Sequence, residues 1–518
     1  MTLWLIIAGL LAAPEEAGRT GALELARTID RRLGERFRSE SVLPAEQSDD
    51  AEFLRRLTLD LLGRIPTVSE VRRFLDDPLP EKRARSIEQF LNDREHVRHF
   101  ARVWRALLLP EAETEPQLRY FLPGFEAWLS GRRGENAGFD AIVRELLTVP
   151  IAGPDETPQF VLRDLRQPNP LAFIAAKNAE PDKIASSAVR LFLGLRLECA
   201  QCHDHPFDHW TRRQFWNQAA FFAGIERRGK GFFAPLVETV ARRSIPLMDT
   251  SETVPALYLD LSQPELGEGE PPRVRFAEWM TAPENPYFAR AVVNRIWSQL
   301  MGQGLVEPID DFRDAHTPSH PELLDELASA FRSSGYDATH LYRAICLSEA
   351  YQRTSRQTDQ SQNRPELFAR MAIKPLSGEQ FFDSLAQAID DFPADERTRE
   401  DGDESPLRRR VLALFSQPQQ TGEPETSVAQ ALALMNGTLI QRAVALETGA
   451  RLKHTLEEFA NDPKRQIDEL YLATVSRFPN AAESQRLIEY SQRDSKQAQR
   501  LGDIFWALLN SAEFRWNH

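Results

Sequence analysis

Along most of the chain apolar residues recur every three or four positions, the spacing that gathers them on one side of an α-helix, and alternating runs are rare. The stretch DDAEFLRRLTLDLLGR puts Phe53, Leu54, Leu57, Leu61 and Leu62 on one such face. It stops at Gly63, a residue suited to the left-handed turn that ends a helix. Pro66 and the run Thr67-Val-Ser-Glu70 follow. The Thr67 hydroxyl is placed to accept from the amide three residues on while Glu70 reaches back, so a second helix carrying Val71, Phe74 and Leu75 is predicted to complete a tight hairpin.

Further helices are predicted around Leu23 to Arg38, Pro170 to Asn178, Pro181 to Leu193, Arg212 to Ala223, Pro286 to Met301, Pro321 to Ser333 and Ala338 to Tyr351. Between Gly229 and Pro272 the prolines and the short alternating stretch Val254 to Leu261 suggest a small β-containing insertion. The expectation is a mainly α, multi-helical protein. It divides into a signal segment at 1–17, an N-terminal helical domain at 25–228, a linker or β insertion at 229–268 and a C-terminal helical domain at 269–518. The acidic stretch from Asp390 to Pro406 reads as a solvated loop. Near the C-terminus LYLATVSRFPNAAE repeats the pattern of LTLDLLGRIPTVSE at a constant offset, with Arg477, Pro479, Asn480 and Glu483 matching Arg64, Pro66, Thr67 and Glu70. Duplication and convergence on one hairpin geometry both account for it.

Charge narrows the function. Of 518 residues 63 are Lys or Arg and 77 Asp or Glu, a net −14 that repels phosphate backbones and anionic lipid. Neither a nucleic-acid partner nor a membrane surface is therefore expected, and no apolar run reaches the roughly eighteen residues of a transmembrane span. The short run LWLIIAGLLAA, followed by Pro14 and acidic sequence, resembles a secretory leader although Met1, Thr2 and Leu3 bring no basic side chain. Export to the periplasm or another extracytoplasmic space is the expectation, with the mature chain starting between Ala13 and Ala17.

Two of the three cysteines form Cys199-Ala-Gln-Cys202-His203, the spacing of covalent haem attachment. Two thiols three positions apart lie on one side of a helical turn, where each can add to a porphyrin vinyl group, and the adjacent imidazole can ligate iron. Cys199, Cys202 and His203 are thus the expected haem c site, with His203 the iron ligand. Eight aromatics between Phe207 and Phe233 supply either apolar walls for the haem or simply the core face of the next helix. His205, Asp208 and His209 exceed what attachment needs: with His203 they could hold another metal, and Asp204 or Asp208 could orient His203. Asp208 or Thr211 could equally cap the following helix. A disulfide or a zinc staple is the other reading of the cysteines. Met248, His316 and His320 are candidates for the distal haem position. Cys346 is expected to be a buried thiol.

The segments LRRLTLDLLGRIPTVSEVRRFL and ECAQCHDHPFDHWTRRQFWNQAAFFAG, together with RFAEWMTAPENPYFARAVVNRIWSQLMGQGLVEPIDDFRDAHTPSHPELLDELA, LYRAICLSEAYQRTS and LLNSAEFRWNH, resemble the planctomycete cytochrome c domain proteins. Their members pair two uncharacterised domains around a CxxCH motif. The resemblance covers roughly 30 to 225 and 270 to 518 and implies an exported c-type haem protein in electron transfer or redox chemistry. Longer relatives carry a separate cytochrome c domain with its own motif. This chain has one motif, hence one covalent haem at most, and electrons would come from a redox partner protein. A haem- or metal-dependent oxidoreductase acting on a substrate such as carbohydrate, and a helical interaction module stapled by a disulfide or zinc, are the alternatives. No Gly-rich phosphate loop, GxSxG or HExxH supports hydrolase or nucleotide chemistry.

Overall fold

A computed structural model describes residues 14–157, 167–313, 315–390, 406–415, 428–493 and 496–518. Of the expected leader at 1–17, residues 1–13 lie outside these, as does the acidic loop over 391–405. The described chain is mainly helical, with two-stranded antiparallel sheets pairing Ile225–Arg227 with Leu236–Glu238 and Ser244–Pro246 with Thr253–Pro255. A third pair joins Lys374–Pro375 to Trp516–Asn517. No helix among the described residues is long and apolar enough to cross a membrane.

Local signals place the elements. Helix Asp50–Leu62 ends at Gly63 with φ 77°, and both hairpins carry reciprocal capping boxes, Thr67 with Glu70 and Asn480 with Glu483. Helices Pro181–Leu193 and Pro321–Ser333 run over the expected residues. Four others are shorter than expected: the one from Arg212 stops at Ala220 instead of Ala223, and the remaining three differ for a backbone reason. The helix expected from Pro170 contracts to Ala172–Ala176 because Asn178 and Ala179 take left-handed φ of 57° and 58°. The one expected from Ala338 to Tyr351 breaks at Ser348, whose extended backbone and side-chain bond to the Tyr351 amide restart a short helix, Glu349–Gln352. Asn285 accepts from the amides of Tyr287 and Phe288, so that helix begins at Phe288 instead of Pro286. Of the alternating stretch Val254 to Leu261 only Val254 and Pro255 lie in a strand.

Two apolar cores organise the molecule. The larger draws on residues from Ala22 to Met371, including the β hairpins, and the smaller gathers Leu376 to Ile389 with helices between Leu434 and Phe514. The helix Asp50–Leu62 lies between them. Its face of Phe53, Leu54, Leu57, Leu61 and Leu62 enters the first core, while Leu59 enters the second. The counterpart of Leu59 in the repeat is Leu472, and Leu472 sits in the first core. Each copy therefore packs one leucine into the other's core.

The likeness extends to ion pairs. Arg64 donates through Nε to Glu95 at 2.8 Å, through both terminal nitrogens to Glu70, and to the Ile65 carbonyl. Arg477 donates through Nε to Glu513 at 2.6 Å, through both terminal nitrogens to Glu483, and to the Phe478 carbonyl. A third helix start belongs to the repeat as well: Asn92 and Asn510 each bond the carbonyl four residues back, just before Glu95 and Glu513. Convergence on a hairpin does not require a matched third element, so this arrangement favours duplication.

One glycine joins the halves. Gly194, at φ 68°, closes helix Pro181–Leu193, and its carbonyl accepts from the Phe312 amide at 2.8 Å. A Cβ there would stand 2.5 Å from the Phe312 ring. Gly194→Ala is expected to lower stability by about 1–2 kcal/mol in urea titrations, from the left-handed backbone alone. A change below a few tenths would mean that Phe312 moves aside and the helix end relaxes.

Candidate functional site

The cysteine motif follows that glycine. Leu195 and Leu197 turn into the core and a single 3₁₀ turn, Glu198–Gln201, carries the first cysteine. Ala200 is fully buried (0% exposed), which fixes the turn from beneath. The Trp216 indole donates to the Gln201 carbonyl at 3.0 Å and the Gln201 amide to Asp182 at 3.0 Å, tying the turn to two helices. With the small residue inward, Cys199 and Cys202 lie on the exposed side, and neither is in a disulfide.

The imidazole that follows is oriented. His203 Nδ1 lies 2.7 Å from the carbonyl oxygen of Asp204; a carbonyl only accepts, so Nδ1 carries the proton and Nε2 the lone pair. This is the tautomer of an iron-ligating histidine, held by an outer-shell oxygen. The expected carboxylate partner is replaced by this backbone carbonyl, because the Asp204 side chain is engaged elsewhere: it accepts from the Arg212 amide at 2.8 Å. His205 is set the other way, its Nδ1 accepting from the Phe207 amide at 3.2 Å. Asp208, whose side chain is only 8% exposed, faces His209 Nδ1 at 2.8 Å and does not cap the next helix. That cap is Thr211, in a reciprocal box with Gln214. Among the described residues no three His, Cys, Asp or Glu side chains converge as a metal-ligand set. His203 and His205 thus take separate backbone partners, while Asp208 and His209 face each other.

The aromatic run divides. Trp210, Phe215, Trp216, Phe221 and Phe222 are core residues, and Phe232 packs on Phe121 at 5.5 Å. Phe207, by contrast, is 77% exposed beside the motif. The distal candidates also separate. Met248 stands at the tip of the second β hairpin, 41% exposed. His316 Nδ1 bonds the Asp311 carbonyl at 3.1 Å and its ring meets the Arg313 guanidinium. His320 is buried against Phe368, ring centroids 5.6 Å apart. Cys346 is fully buried as expected.

Sequence reasoning missed the link from the C-terminal half to the motif. Asp310 accepts from Arg196 Nε at 2.9 Å and lies 3.9 Å from Arg190, which in turn reaches Glu198, next to Cys199, at 3.5 Å. Burial pushes the Glu198 carboxyl up, against the pull of Arg190. No periodicity relates Asp310 to Glu198, so only the packing of Phe312 on Gly194 could have shown it.

The residues present fit covalent haem: two exposed thiols, one on the 3₁₀ turn and one just after it, and an imidazole whose Nε2 would be free to ligate iron. PSCyt2, described as a protein of unknown function (DUF1549), matches residues 28–227, and PSD1, described as a protein of unknown function (DUF1553), matches residues 272–406. No curated protein and no solved structure matches the chain. The two matches stand in order on either side of the β hairpins, and the chain belongs to the planctomycete cytochrome-associated proteins that pair a PSCyt2 domain with a PSD1 domain.

Proposed function

We propose that this protein is an exported c-type haem protein working in electron transfer, with one haem attached through Cys199 and Cys202 and ligated by His203. The observation that carries the reading is the combination of the outward thiols with the His203 tautomer. Cys199 and Cys202 would hold the group by thioether bonds, each Sγ–H adding across a porphyrin vinyl group with nothing released or oxidised. Bound haem iron supplies one-electron exchange. The chain's own residues hold and orient it. Ala200 and the Trp216 indole fix the turn, the Asp204 carbonyl fixes the ring of His203, and exposed Phe207 offers apolar surface beside the motif. The apolar leader-like run LWLIIAGLLAA supports export, where the attachment machinery works and thiols meet an oxidising medium.

Expression with an export signal and c-type maturation machinery, then haem staining of denaturing gels and intact mass, tests this. Wild type is expected to gain the mass of one haem and the Cys199→Ala/Cys202→Ala variant none. Exported wild type at apoprotein mass would overturn the reading and favour the stapled interaction module.

A further inference from the structure

We propose that the cleft between helices Arg94–Leu108 and Gly378–Ile389 binds a small hydroxycarboxylate, a carboxylate that also carries a hydroxyl group. The site does not involve the cysteine motif. It is a cavity of about 220 Å³ where the two matched family domains meet, with Leu62, Glu95 and Arg98 from the first and Phe382 and Asp383 from the second. Small ligands are commonly held at such junctions. Leu62, Phe382 and Ala386 are buried and give the cavity an apolar side. The rest of the lining is charged, and the protein leaves part of that charge unused. Arg64 is committed to Glu95, Glu70 and the Ile65 carbonyl, so it braces the wall. Arg102 donates through one terminal nitrogen to Asp383 at 2.6 Å, while its Nε stands 3.9 Å from Glu379 and its other terminal nitrogen has no partner among the described residues. Asp383 cannot take more of it, because its other oxygen accepts from Arg408 at 2.6 Å. One turn back on the same helix face, Arg98 is exposed and comes no nearer than 4.0 Å to Glu95. Two guanidiniums with spare donors, one turn apart, make a fork matched to a carboxylate.

His99 supplies the second recognition element. Gly63 has no Cβ to collide with Nδ1 of this ring, so the imidazole packs on the helix end and bonds the Asp60 carbonyl through one nitrogen. A carbonyl only accepts, so that nitrogen carries the proton and the other holds a lone pair. The ring is 7% exposed, lines the cavity and has no other hydrogen-bond partner among the described residues. Burial first, and then Arg102, keep a second proton off it, holding the pKa to about 4 against the pull of Asp383 and Glu379. An ammonium beside this nitrogen would meet the same guanidinium and the same desolvation, so the donor that suits it is a neutral hydroxyl. A plain carboxylate on the arginines would leave the nitrogen out of water and unpaired. A hydroxy acid satisfies both ends.

Equilibrium dialysis of the full chain at pH 7 against radiolabelled malate, succinate and aspartate tests the assignment, since the three differ at one carbon in a hydroxyl, a hydrogen and an ammonium. Malate is expected to bind about 3- to 10-fold tighter than succinate, the worth of one hydrogen bond, and aspartate to bind weakest. Arg98→Ala, at an exposed position, should weaken malate and succinate alike by about tenfold. His99→Phe should erase the preference for malate and keep succinate binding. Circular dichroism checks that this variant folds, and if it does not, the comparison of the three acids on wild type decides the hydroxyl. Equal affinities for malate and succinate overturn the hydroxy acid, and tightest binding of aspartate assigns the cleft to an amino acid instead. Binding of none of the three, or an Arg98→Ala variant that binds like wild type, overturns the site.

Discussion

Urea unfolding at pH 5 is expected to show several kcal/mol less stability than at pH 7, through three buried histidines. Burial first, then the nearby arginines Arg133, Arg102 and Arg36, hold the pKa of His96 down to about 3 and those of His99 and His320 to about 4. Unfolded, each returns to about 6.5. Between these values the unfolded chain binds a proton that the folded chain refuses, so stability rises with pH and is lost as pH falls below about 6.5. Each histidine is worth about 1.4 kcal/mol per pH unit in that window, so about 2 kcal/mol apiece at pH 5 and at most about 6 for the three. His320→Phe isolates one of them. Its Nε2 has no hydrogen-bond partner among the described residues and its ring packs on Phe368, so the phenyl ring should fit and the slope should fall by about one proton. Equal midpoints at pH 5 and pH 7 would contradict the burial of these rings.

Asp60→Ala is the substitution with the largest expected cost, about 3–5 kcal/mol. Asp60 is 3% exposed and accepts from the Tyr351 hydroxyl at 2.9 Å, Lys374 Nζ at 2.7 Å and Asn517 Nδ2 at 2.8 Å. Lys374 also donates to the carbonyls of Gln299 and Leu300, at the end of helix Phe288–Met301. Burial alone pushes the Asp60 carboxyl up and the Lys374 ammonium down. Contact between them offsets part of that penalty, and deleting the carboxylate leaves a buried cation with only carbonyl oxygens for company. The same cut frees Asn517, and with it the C-terminal strand that pairs with Lys374–Pro375. Chemical denaturation measures the loss. The contrasting variant Asp60→Leu/Lys374→Met removes both charges and should recover most of it. If Asp60→Ala unfolds within about 1 kcal/mol of wild type, the network does not hold the two cores together.

Asp60 lies on helix Asp50–Leu62 and His96 Nδ1 bonds that helix's Leu61 carbonyl at 3.0 Å, so the helix shows where sequence reading succeeds and where it stops. Phe53, Leu54, Leu57, Leu61 and Leu62 are legible as an apolar face because helical spacing is local. Arg55, Arg56, Thr58 and Asp60, which lie outside that apolar face, are buried as well. Arg55 donates to the carbonyls of Thr474, Glu513 and Phe514, and Arg56 to those of Tyr351 and Arg353 and to the Glu52 carboxylate. Partners so distant in the chain leave no period to detect. The repeat was visible through its capping residues, whereas the Glu95 and Glu513 partners became apparent only once the third helices were in place.

The same division runs through the candidate site. Cys199, Cys202 and His203, the helices that flank them and the Thr211 cap follow from residues close together in sequence, where chemistry and backbone geometry are coupled over a few positions. The proton on His203 Nδ1, the withdrawal of Asp204 to Arg212 and the Trp216 bond that sets the cysteine turn are long-range or competitive choices. By itself the sequence determined which residues could do the chemistry and which segments would be helical. Only the tertiary structure decided which hydrogen-bond partner each polar group took and which polar faces were buried, because those outcomes depend on what the rest of the chain packs against them.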